Sequence, residues 1–216
     1  IRDRREVSVF CFYGGLLSAA VFGAAVGIFN ERILLLCGAR GMTLEYAKGY
    51  VFYTLTLGAV PTVLTTLLTN LVRSEGAAAV ASFGAILGCI VNIALDPIFV
   101  LPWGLNMGAA GAGAATAISN AVGLAFFICY IIKQRGKTVL GLNPALLSHS
   151  REHAGAVLRI GAPSALQYAL TVVAVSAQMN FVAKYGNEAV AAVGITKKLD
   201  QLPLFFSIGV ANGMLP

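Results

Sequence analysis

Charge is what this chain has least of. Asp, Glu, Lys and Arg make up 11% of its 216 residues, and apolar residues make up 58%. A soluble domain carries about 25% charged residues, so this composition leaves too few polar side chains to cover a water-soluble fold. The signatures of several enzyme classes are also missing. There is no GxxxxGK[ST], no HExxH and no GxSxG, so ATP-driven transport and the common hydrolase chemistries find no support in these residues. Cys11, Cys37, Cys89 and Cys129 form no CxxC, and His149 and His153 lie far from them in sequence. Without metal-ligand spacing the thiols read as small apolar packing residues, and no metal or other cofactor is expected. Nor does IRDRRE read as a signal peptide: it is a charged segment with a long span behind it. The chain starts at Ile1 rather than Met and stops at GVANGMLP with no polar tail. A piece of a longer protein is the expectation.

What the chain does have is long apolar runs. Six are readable: roughly Val7–Phe29, Tyr46–Val72, Ala77–Leu101, Gly108–Ile132, Ala154–Ala183, and a last one that starts near Glu188. A helix rising 1.5 Å per residue needs about 20 residues to cross a bilayer core of about 30 Å. A membrane β-barrel would show alternating strands of about ten residues instead. The fold class is therefore all-α: an integral membrane bundle with six transmembrane helices. The 24 glycines suit it, because small residues let helices approach closely in lipid. The pairs in GAAVG (23–27) and GAILG (84–88) read as packing positions only.

The formal charge of +6 does not point to nucleic acid. The basic residues flank apolar runs and form no stripe with interleaved aromatics. They read as topology signals. One side holds Arg2, Arg4, Arg5, Arg73, Lys133, Arg135, Lys137, Arg151 and Arg159; the other holds Arg32, Arg40, Lys48 and Lys184. The richer side, with the amino-terminal end, is expected in the cytoplasm. Arg73 reads as an anchor at that face, and Trp103, in the uncharged turn LPWGLNMGAAG, as an anchor at the opposite interface. The polar stretch from Lys133 to His153 is the longest break in the apolar pattern. It divides the chain into residues 1–137, an amino-terminal lobe of four helices; 138–153, a cytoplasmic connecting loop; and 154–216, the start of a second lobe with two helices.

Between Glu75 and Lys133 the only charged side chain is Asp96, in NIALDPIF. A carboxylate within a membrane helix costs about 2.5–3.5 kcal/mol on insertion scales, so it must face a cavity, pair, or hold a proton. Asn92 lies one turn earlier on the same face and offers an amide to either form of the acid. Pro97 has no N–H to give, which frees the carbonyl of Ile93 and predicts a bend beside the acid. Thr116 and Asn120 share a face of the following helix and are expected to approach the Asn92–Asp96 face. Asp96, Asn92, Thr116 and Asn120 are thus the candidate site for a proton or cation. A second polar set consists of Gln167 and Asn180 on the fifth segment with Lys197, Lys198 and Asp200 on the sixth, where Lys197 and Asp200 are spaced to pair.

The order RSEG, NIALDPIFV, GxxGAGAATAIS, a basic loop and RIGAPSALQ resembles the multidrug and toxic compound extrusion (MATE) family. The resemblance covers nearly the whole chain. It implies a twelve-helix, two-lobe transporter of which these are about helices three to eight, with the basic loop joining the lobes. It implies export of cationic or amphipathic compounds across the cell membrane in exchange for protons or sodium, by a monomer, with no enzymatic activity. Asp96 and Asn92 match the family's acid and amide on the fifth helix, and Thr116 falls in the small-residue run of the sixth. Some sodium-coupled members carry a Glu eight residues after the Pro of G-x-P; here Thr171 stands there, which favours protons over sodium. The competing readings are a lipid-linked glycan flippase of the same superfamily, disfavoured by the lack of interior cations in the first four helices, and a non-transporting membrane scaffold. A membrane-embedded enzyme would need a second catalytic group beside Asp96, and none stands out.

Overall fold

The computed structural model describes residues 2–37, 39–134, 138, 140 and 154–214. Among them there is no strand, and seven α-helices follow one another: α1 (Arg2–Leu36), α2 (Met42–Val51), α3 (Ala59–Ser74), α4 (Ala78–Val100), α5 (Ala109–Lys133), α6 (Ala154–Val182) and α7 (Asn187–Met214). α1, α4, α5 and the stretch Gly155–Tyr185 are each long and apolar enough to cross a membrane. α2 and α3 make a fifth crossing if counted together. α7 is long enough at 28 residues, but Lys197, Lys198 and Asp200 interrupt its apolar pattern. The chain divides into two compact units, residues 1–35 with 39–155, and residues 36–38 with 156–216.

Large side chains lie exposed along the helices, Ile90, Ile93 and Phe83 on α4 and Leu158, Ile160 and Leu166 on α6 among them. In water such continuous apolar surface would drive association; in a bilayer it is the ordinary lipid-facing or helix-facing surface. The buried residues of the first unit are fewer. Leu68 and Val72 of α3, Ala81 of α4 and Phe127 and Ile131 of α5 form one cluster. Gly84 of α4 lets Phe127 into it: a Cβ there would stand 2.4 Å from the ring's Cζ. Gly23 and Gly27 of α1 play the same part against Thr56, with a Cβ at Gly23 only 3.0 Å from the Thr56 carbonyl. Both GxxxG pairs read from the sequence contain such a close approach.

Two helices differ from expectation. α1 runs on past Phe29 through Asn30, Glu31 and Arg32 to Leu36. Beyond the apolar run Glu31 has a partner: its Oε2 lies 2.9 Å from Lys48 Nζ of α2. The second run, Tyr46–Val72, is not one straight span. Phe52–Leu57 form a π-helical turn, and the helices either side are bent by 53°. Gly58 sits at the break, where a Cβ would lie 2.5 Å from the Thr54 carbonyl oxygen. Pro61 follows in the first turn of α3, the part of a helix that tolerates a missing N–H.

Most of the connecting loop expected at 138–153 lies outside the described residues, but Thr138 and Leu140 do not. Both are buried against the first unit. The Thr138 hydroxyl donates to the Glu75 carboxylate at 2.6 and 2.8 Å, the Leu140 N–H donates to Glu75 Oε1 at 3.0 Å, and Arg5 Nη2 donates to the Thr138 carbonyl at 3.0 Å. Glu75 of the α3–α4 turn therefore ties down the chain that leaves α5. Removing the carboxylate strands the buried Thr138 hydroxyl, at about 1–3 kcal/mol, whereas the Leu140 N–H keeps a second acceptor in Thr138 Oγ1 at 3.0 Å. Glu75→Ala is expected to lower stability by about 1–3 kcal/mol, read as the unfolding midpoint in detergent, whereas Glu75→Gln, which keeps an acceptor, loses less.

Candidate cation site and polar cavity

α4 is a continuous helix through Pro97 and ends at Val100. The proline stands one turn from the helix end. The turn after α4 closes back on it: Leu105 N–H donates to the Ile98 carbonyl at 2.8 Å and Met107 N–H to the Phe99 carbonyl at 2.9 Å. These are carbonyls that a helix end otherwise leaves unpaired. The last turn of α4, with Asp96 and Pro97, is held by that closure.

Asp96 and Asn92 are half-buried. Asp96 Oδ1 and Asn92 Nδ2 are each shielded from water, and neither has a hydrogen-bond partner. An unmade bond at a buried polar atom costs about 1–3 kcal/mol. Here an acceptor and a donor are left open one helical turn apart, which is a place prepared for a further group: a proton, a cation, or a side chain from another helix.

Asn92 lines a cavity of about 440 Å³ between α3, α4 and α5, and Thr116 and Asn120 line it too. Three of the four site residues read from the sequence thus border one space. Asp96 lies one turn beyond Asn92, outside that lining. The third wall was not anticipated. It is a threonine face of α3, Thr65, Thr66 and Thr69, with Thr62 one turn earlier at helical spacing but outside the lining. Asn120 is anchored to this wall: its Nδ2 donates to Thr62 Oγ1 at 2.9 Å, and its carbonyl accepts from Thr65 Oγ1 at 2.8 Å. The spacing was visible in TTLLTN, but threonines in an apolar run are commonly bonded to their own backbone, so the pattern by itself singles out no site.

Arg73 lies in the last turn of α3, as an end anchor would. It also reaches the cavity, and its Nη1 donates to Asn70 Oδ1 at 3.3 Å. α3 thus presents a cation to this cavity from its last turn.

In the second unit the expected polar residues do not converge among the described contacts. The Thr171 hydroxyl donates to the Gln167 carbonyl of its own helix at 2.9 Å, and Asn180 Nδ2 donates both to the Ser176 carbonyl and to the Leu36 carbonyl at 3.1 Å. The Lys197–Asp200 pair is not made: Lys197 Nζ is buried with no hydrogen-bond partner, while Lys198 and Asp200 are exposed. The two residues are three apart on α7, but the Lys197 side chain turns its amine inward, away from the exposed carboxylate.

No family model matches the chain. Over 210 residues, 97% of its length, it is 32% identical to the multidrug export protein MepA of Staphylococcus aureus (strain NCTC 8325 / PS 47) and covers 46% of that protein. To MepA of Staphylococcus saprophyticus it is 31% identical over the same shares. The chain thus spans about half the length of the curated relatives it matches. Among solved structures, it resembles a MOP superfamily transporter from Pyrococcus furiosus with a TM-score of 0.81 and 27% identity, over 98% of this chain and 48% of that one. It resembles an inward-facing multidrug resistance MATE family transporter with a TM-score of 0.78 and 28% identity, over 88% and 42%.

Proposed function

We propose that this chain, which belongs to the multidrug and toxic compound extrusion family, supplies the cation-coupling half of a secondary multidrug exporter that exchanges cationic or amphipathic compounds for protons across the cell membrane. The observation that carries the reading is the pair of open polar atoms, Asp96 Oδ1 and Asn92 Nδ2, one turn apart and buried. A proton on Asp96 changes which of its bonds can form: the neutral acid donates, and the carboxylate only accepts. Coupling follows if protonation favours one arrangement of the helices over the other.

Several observations support protons over sodium and an exporter over a flippase. Thr171, where some sodium-coupled members carry Glu, has its hydroxyl committed to the backbone. Arg73 is the one charged side chain among the residues that line the cavity, fewer than a pyrophosphate headgroup would need. On this reading the amino-terminal end of α1 lies in the cytoplasm, as the Lys and Arg distribution implies. The two units are parts of two lobes joined through the segment after α5, and the protein works as a monomer.

The test uses the product of the complete gene in liposomes loaded with a fluorescent organic cation. An imposed pH gradient is expected to drive its movement at least about fivefold above the rate without a gradient. A sodium gradient at constant pH is expected to leave that rate unchanged. Transport that follows sodium and ignores pH would contradict proton coupling.

A further inference from the structure

We propose that the π-helical turn Phe52–Leu57 is a hinge of the first unit that converts to regular α-helix in the other arrangement of the transporter, drawn that way by the hydroxyls of Thr54 and Thr56. This rests on the reading of the chain as part of an exporter that alternates between two arrangements. Three observations carry it.

The first is the backbone. Gly58 N–H donates to the Tyr53 carbonyl at 2.9 Å, five residues back, whereas Thr62 N–H donates to the Gly58 carbonyl at 3.0 Å, four residues back. The ladder thus changes period at Gly58, where the helices on either side are bent by 53°. Pro61 has no N–H for the Leu57 carbonyl, so that bond cannot cross the junction. A π turn holds about one residue more than an α turn. Its conversion moves the register of α2 against α3 by one residue, about 1.5 Å along the axis and about 100° around it. The second observation is the state of the hydroxyls. Thr66, Thr69 and Thr116 lie in regular α-helix and donate their protons to the carbonyls four residues back, at 2.7–2.9 Å. Thr54 and Thr56, in the π turn, do not: both hydroxyls are shielded from water and neither has a hydrogen-bond partner. A buried hydroxyl without a bond destabilises the form that strands it. The α form offers each the bond that Thr66 and Thr69 already make. The third is the surroundings. Thr54 Oγ1 faces Gly113 of α5, where a Cβ would stand 3.0 Å away, and Thr56 packs on Gly27 of α1, where a Cβ would lie 2.9 Å from its methyl carbon. Glycine offers these hydroxyls no side-chain acceptor, and it leaves the turn room to rotate on both sides.

The complete gene product is prepared as wild type and with Thr54→Val and Thr56→Val, singly and together. Valine keeps the shape of threonine and has no hydroxyl to place. The double variant is expected to unfold in detergent about 2 °C or more above wild type, because no polar group is stranded in the π form. Its pH-driven efflux of ethidium from liposomes is expected to fall at least about fivefold, with ethidium affinity changed by no more than about twofold. Thr54→Ser with Thr56→Ser, which keeps both hydroxyls, is expected to retain efflux. Spin labels are placed by Tyr46→Cys on α2 and Ser74→Cys on α3, both exposed, in a background freed of other cysteines. They are expected to report two distances in wild type, in proportions that ethidium changes, and a single distance in the double valine variant. Three results overturn the proposal: one unchanging distance in wild type, a lower unfolding temperature in the valine variants, or undiminished efflux in a stabilised double variant. Failure of the underlying reading shows separately. In that case wild type moves no ethidium under a pH gradient, while the distances still report whether the turn switches.

Discussion

Asp96→Asn is expected to reduce pH-driven efflux by at least tenfold, to the level seen with no gradient. Asparagine has nearly the shape of the protonated acid and can both donate and accept. The substitution therefore leaves packing in place and removes only the ability to change charge. Coupling free energies of about 1–3 kcal/mol correspond to factors of roughly 5–150, and that factor disappears when one partner of the exchange no longer titrates. Substrate affinity should change by no more than about twofold, because the two states of the protein are still both reachable. Efflux and substrate binding measured on the same preparation separate these effects. If driven efflux survives in Asp96→Asn, the carboxylate is a structural residue, and the coupling group must be sought elsewhere, with the buried amine of Lys197 as the next candidate.

Gly104→Ala is expected to be the most damaging small substitution in the first unit, with a loss of about 3 kcal/mol. A Cβ at this position would lie 1.9 Å from the Ile98 carbonyl oxygen. That atom is backbone, and it is also the acceptor for Leu105 N–H. The clash cannot be relieved by a side-chain rotation. It must push the turn away from α4 and break the bonds that hold the helix end. Since Asp96 lies within that last turn, the consequence should extend to function: lower thermal stability in detergent, and weaker pH-driven efflux even in the molecules that remain folded. Gly41→Ala provides the contrast. A Cβ there has nothing within 4 Å, although its φ of 57° disfavours a side chain, so the loss should be smaller and confined to stability.

The helical membrane fold was legible because lipid imposes a simple rule. Every backbone group must be satisfied within its own segment, so length and apolarity alone predict α4 and α5 to within a residue of where they lie. Legibility failed where a local signal had a distant cause. The first apolar run stops at Phe29 and the charged Glu31 and Arg32 follow, yet α1 continues to Leu36 and Glu31 meets Lys48 of the next helix. Likewise Tyr46–Val72 reads as one apolar run, and nothing in its hydropathy betrays the break at Gly58. The break rests on a carbonyl that comes within reach of that glycine only once the π-helical turn has formed.

The candidate site divides the same way. Asp96 and Asn92 were evident from composition and from the four-residue period, because an acid in an apolar run has a cost that demands a reason. By itself the sequence determined that this chain is a set of membrane helices, with Asp96 the only charge between Glu75 and Lys133, since those properties depend on solvent and on spacing along one helix. Only the tertiary structure decided that the threonine face of α3 stands opposite Asn92 and Thr116, that its hydroxyl protons are already committed, and that Arg73 ends the same cavity. Those relations join residues far apart in the chain, and they exist only when three helices have packed around a shared space.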